Sequence, residues 1–88
     1  MSVDGEPPAD LFFNSIQQYV RIATLVSDGR TSWAELDPNS RDEMALVRED
    51  LATAADRGHA KARLLLGEIY EEGHGCDRDA ALAFEVML

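Results

Sequence analysis

Residues 54–84 read AADRGHAKARLLLGEIYEEGHGCDRDAALAF, and the spacing of small residues along them decides the fold. Ala54, Ala55, Gly58 and Ala62 mark the end of one helix and the start of the next. Leu66-Gly67 and Tyr70 continue that next helix, Gly73-His74-Gly75 stops it, and Asp79, Ala80 and Ala83 open another. Gly67 lies inside a helical pattern, where glycine costs about 1 kcal/mol against alanine. That cost is tolerable where a missing side chain lets a neighbouring helix come close. Gly73 and Gly75 suit positive φ and predict a tight reversal between helices. Neither a preceding strand nor a following lysine-serine or lysine-threonine pair makes this run a phosphate loop. Small residues at fixed offsets are instructions for packing antiparallel helices, which stack on neighbours and offer a surface to a partner.

Working outward, four helices are expected and no strands, since no period-2 alternation or hairpin dipeptide occurs. The first runs from Ala9 or Asp10 to Ser27, with Gly29 beyond it as the stop. Phe12, Ile16, Tyr19, Ala23 and Val26 recur at helical steps and are read as its inner face, widened by Phe13 and Val20. Leu11, Ile22 and Leu25 fall outside that face, so the helix is apolar around much of its circumference. Either a partner or the connector bearing Trp33 covers the second side. Residues 28–40 form that connector, with Ser32 and Glu35 at capping-box spacing for a single helical turn. Trp33 there is read as a plug on the core in preference to a contact residue.

The second helix starts near Pro38 to Arg41, capped by Asp37 ahead of Pro38 or by Ser40 with Glu43. Met44, Val47, Leu51, Ala54 and Ala55 line its inner face. The third spans Ala60 to Glu72 with Ala62, Leu66, Ile69 and Tyr70 as its packing stripe. The fourth begins near Asp77 to Asp79 and carries Ala80, Ala83, Phe84 and Met87.

At these positions the chain resembles a Sel1-like repeat, a relative of the tetratricopeptide repeat with a longer interhelical loop. The resemblance rests on Ala54 and Ala55, Gly58, Ala62, Leu66-Gly67, Tyr70, Gly73 and Gly75, Asp79 and Ala83. It departs at Cys76, where the family favours valine, at Val86 and Met87, where aromatics are usual, and at Leu65, often polar in the family. It implies an all-α fold of two antiparallel helix pairs in an α-α superhelix, here a solenoid fragment. The expected organisation is a flexible tail over 1–9, a divergent cap-like helix pair over 10–57, and a repeat pair over 58–88 that stops before it is complete. The resemblance also implies an adaptor or scaffold, with no catalysis.

Composition narrows the classes. The 88 residues make one small domain with a marginal core, and an apolar share of 45% argues against wholesale disorder. Seventeen acidic against eight basic residues give a net charge of −9, which repels phosphate backbones and anionic bilayers. Nucleic-acid binding is therefore not expected, and a basic protein partner is the sharper reading of the acidity. No apolar run reaches the ~20 residues of a membrane span, so membrane insertion is not expected either. The acidic start, Met1 to Pro8, has neither an apolar signal core nor transit-peptide arginines, which makes the cytoplasm the expected location. Cys76 is alone, so no intrachain disulfide forms.

No constellation for chemistry emerges. His59 and the His74-x-Cys76 loop sit at opposite ends of the third helix, roughly 18 Å apart at 1.5 Å per residue, so one zinc cannot take all three. Asp77, Asp79, Glu71 and Glu72 lack the spacing of a calcium loop, and Asp79 is better read as a helix cap. No catalytic residue, metal or cofactor is expected. The candidate partner contacts are Lys61, Leu65, Glu68 and Glu72, which share one face of the third helix. Surplus apolar surface adds Leu11, Ile22 and Leu25 on the first helix and Phe84, Met87 and Leu88 at the end. The last three also suggest self-association through the C-terminal helix, or a small structural subunit wedged into a larger assembly.

Overall fold

A computed structural model describes residues 8–87, and among them the chain is entirely helical and irregular, without strands. The helices are α1 (Pro8–Ser27), α2 (Pro38–Asp56), α3 (Ala60–Glu72) and α4 (Ala80–Met87). The tail expected over 1–9 lies outside the described residues as far as 7, and its last two residues, Pro8 and Ala9, belong to α1. Proline is tolerated in a first helical turn, where its missing N–H has no partner to lose.

Helices α1, α2 and α3 each stop where a glycine at positive φ (Gly29, Gly58 and Gly73) turns the chain. At Gly29, φ +76°, the end of α1 is closed by Gly29 N–H to Val26 C=O and Arg30 N–H to Leu25 C=O, both 3.0 Å. Helix α2 opens with extended Asp37 ahead of Pro38, which decides between the two expected caps. The Ser32–Glu35 segment is a turn instead of the expected helical turn. Ser32 Oγ donates to the Glu35 carboxylate at 2.9 Å, and the backbone closes one Glu35 N–H to Ser32 C=O bond. A lone turn gains too few bonds to propagate as helix. Asp79 caps α4 as expected, its carboxylate accepting from Leu82 N–H at 2.9 Å.

Successive helices run antiparallel. The ion pair of Arg21 with Glu43 joins the end of α1 to the start of α2. Arg63 donates to Ala55 C=O at 3.2 Å, joining the start of α3 to the end of α2. Asp79 N–H donates to Tyr70 C=O at 2.8 Å, joining α4 to the end of α3. Helix α1 also lies along α3 in the same sense, its Phe12 ring stacked 4.6 Å from His59 at the α3 start.

The core is Ile22, Leu36, Met44, Val47, Leu51, Ala54, Ala62, Leu66 and Ile69. Every residue expected on the inner face of α2 is buried, and so are Ala62, Leu66 and Ile69 of the α3 stripe. Helix α1 is turned relative to expectation. Its deepest positions are Ser15 and Ile22, seven residues apart, while Ile16 and Ala23 are half-buried and Phe13 and Val20 exposed. Helix α4 packs through Ala83 and Val86, leaving Ala80 and Phe84 outside.

Candidate functional site

Three of the four α3 candidates, Lys61, Glu68 and Glu72, are exposed on one face of the helix. Leu65 is half-buried and packs against the core. The exposed leucine of this helix is Leu64, at 56%. The reason is helical arithmetic: Leu65 stands three after Ala62 and four before Ile69, on the border of the packed stripe. Leu64 stands two from both Ala62 and Leu66 and points the other way. That spacing was present in the sequence and marks Leu64 as the apolar residue of the open face.

The C-terminal end of this face meets an aromatic cluster drawn from three separate segments. Tyr19 of α1, Trp33 of the connector and His74 of the α3–α4 loop stack with nearly parallel rings. Trp33 and His74 are 4.4 Å apart and Tyr19 and Trp33 5.7 Å. The Tyr19 hydroxyl is hydrogen-bonded to His74 Nδ1 at 2.8 Å. Burial raises the Tyr19 pKa, and the charges of Glu68 and Glu72 raise it further. Burial lowers the His74 pKa, against the opposing pull of Glu72 and Glu68. Trp33 is half-buried against the core, as a plug would be. Its partners Tyr19 and His74 carry no sequence signal that would join them, because they are 55 residues apart.

Beside Trp33 lies a cleft of about 290 Å³, lined by Ala34, Arg41, Gly73, Gly75, Cys76 and Asp77. The Cys76 thiol is directed to Ile69 C=O at 3.8 Å, and burial raises its pKa, with Arg48 opposing and Asp77 adding. A neutral thiol is a poor nucleophile and a poor metal ligand. His59 is engaged elsewhere, its Nδ1 accepting from Ala62 N–H at 3.1 Å as the α3 cap. Among the described residues no group of three His, Cys, Asp or Glu side chains could hold a metal. A second cleft of about 420 Å³ opens between α2, α3 and α4, lined by Asp56, Arg63, Leu66, Glu85 and Val86 among others.

The apolar candidates divide. Ile22 is fully buried and is withdrawn as a partner contact: it fills the α1–α2 seam, so no partner reaches it. Leu11 and Leu25 are half-buried, and Leu11 packs on the core. Phe84 is 67% exposed. The side chain of Met87 and all of Leu88 lie outside the described residues. On α1 the exposed large apolar residues are Phe13 and Val20, which share one face at seven-residue spacing. No described helix is long and apolar enough to cross a membrane. Comparison with protein-family models, with curated proteins and with solved structures finds no match to the chain.

Proposed function

We propose that this chain is a protein–protein interaction module of the Sel1-like repeat type, without catalysis, whose partner docks on the open face of α3. The observation that carries the reading is the make-up of that face: Leu64 exposed among Lys61, Glu68 and Glu72, with no cation paired to either glutamate among the described residues. An exposed leucine inside a charged face supplies an apolar anchor with a polar rim, the usual anatomy of a protein interface. The acidic excess favours a basic partner, and the cytoplasmic setting proposed with it rests on the character of Met1 to Pro8. The superhelical continuation of the two helix pairs belongs to the same proposal.

The test is site-specific photo-crosslinking in cells. A photoreactive residue at position 64 or 68 is expected to give one discrete adduct, while the same residue at position 49, on the outer side of α2, gives none. Equal labelling from both faces, or none from α3, would sink the proposal.

The second reading, a structural subunit held through apolar faces, is favoured by Phe84, Phe13 and Val20, all more than half exposed on the first and last helices. Its adducts would form from positions 13 and 84 instead, and self-association through α4 would appear as adducts of the chain with itself.

A further inference from the structure

His74 is the member of the cluster that brings in the α3–α4 loop, meeting both α1 and the connector, which Tyr19 and Trp33 also join by their own stack. It sits between two glycines at positive φ, Gly73 at +72° and Gly75 at +82°. One ring nitrogen bonds to α1 through Tyr19, and one ring face carries the connector through Trp33. We propose that His74 is a proton-operated latch: neutral, it ties the α3–α4 loop to α1 and holds the connector down, and on protonation it lets the connector go. The inference does not depend on the partner proposed above.

With its proton on Nε2, the neutral ring accepts the Tyr19 O–H at Nδ1. Protonation turns Nδ1 into a donor, so the Tyr19 hydroxyl must rotate and accept, leaving its own hydrogen to find another partner in half-buried surroundings. The new charge is also partly withdrawn from water, because the ring is half-buried against Trp33. Several groups face it. Glu68 and Glu72 on α3 favour the cation, as does the Trp33 ring face. Arg48 on α2 disfavours it, donating to Gly75 C=O next door at 3.2 Å. Arg41 and Asp77 line the adjoining cleft and oppose one another. Burial outweighs the glutamates, which sets the direction.

What is released is bounded. Leu36 is buried and anchors the far end of the connector, and the Ser32–Glu35 turn is closed by its own bonds. Opening therefore frees Trp33 and its turn, not α2. The open form titrates near the ordinary histidine value of 6.5 and the closed form lower. Between those two values each pH unit shifts the balance toward the open form by up to tenfold.

An NMR titration of the full chain from pH 8 to 5 tests this, with the His74 signal assigned through His74→Gln. The expected result is a His74 midpoint below 6.5, with Trp33 indole exchange accelerating and its emission maximum moving red along the same curve. A midpoint at or above 6.5 would overturn the latch. So would quenching of Trp33 without a red shift, because a protonated ring still in contact does only that. His74→Phe keeps a ring to stack on but cannot ionise, and its Trp33 emission should not respond over this range; a persisting response would also overturn the proposal.

Discussion

Single residues carry unequal costs here, and two of them expose the physics. Ser15 is 1% exposed and its hydroxyl has no hydrogen-bond partner. A buried hydroxyl without a partner costs about 1–3 kcal/mol in lost hydration, and alanine is the better helix former. Ser15→Ala is therefore expected to stabilise the chain by about 1 kcal/mol, raising the melting temperature by roughly 4–8 °C in a domain this small. No gain in thermal denaturation would mean that the hydroxyl is satisfied. Gly75 works the other way. A Cβ there would come within 2.9 Å of Met44 Cγ and 3.0 Å of Met44 Cβ, at a φ of +82°. Gly29 shares the positive φ but has open space around it. Gly29→Ala should cost about 1 kcal/mol for the left-handed backbone alone, and Gly75→Ala about 2–4 kcal/mol because the core must also move. Urea denaturation of the two variants measures the difference, and equal losses would remove the steric part of the argument.

At the scale of elements, α4 depends most on its cap. It has eight residues, too few for a helix to persist without tertiary support, and its N-terminal amides rely on Asp79. Asp79→Ala should cost about 1 kcal/mol and accelerate amide exchange in α4 while leaving the core of α2 protected. Uniform loss of protection would instead show α4 to be cooperative with the rest. Helices α2 and α3 were legible because most of their apolar residues repeat on one side, with Leu46 and Leu64 as exposed exceptions. Met44, Val47, Leu51, Ala54 and Ala55 leave no second choice of face. Helix α1 was read only in part, because it is apolar on several sides and a serine occupies one of its deepest turns. Phe12 and Tyr19 of the expected face do pack on the core, but the deepest positions are Ser15 and Ile22, the first polar and the second outside that face. For the candidate site, the charged face of α3 followed from spacing, with Leu64 overlooked in favour of Leu65. The aromatic cluster could not follow, because its three rings meet only after α1 has folded onto α3.

The whole molecule should show these local shifts as a plateau of stability against pH. The sign at each end follows from which state takes up or gives up the proton first. His74 is depressed in the fold from 6.5, so the unfolded chain binds the proton more readily, and its contribution is complete above that value and lost as pH falls below it. Cys76 and Tyr19 are raised from 9.0 and 10.0, so the unfolded chain ionises first and their contributions fade as pH rises past those values. A net charge of −9 complicates the acid side, because protonating carboxylates relieves self-repulsion and stabilises the compact state. The informative quantity is therefore a difference between wild type and a variant, measured by urea denaturation at pH 5.5, 7.5 and 10. Wild type should lose stability relative to His74→Phe on going from pH 7.5 to 5.5, whatever the background does. Cys76→Ala should remove the earlier part of the alkaline loss and leave the part that belongs to Tyr19. If the gap between wild type and His74→Phe stays constant from pH 7.5 to 5.5, His74 carries no proton linkage. The aromatic cluster would then be a static clasp between α1, the connector and the α3–α4 loop.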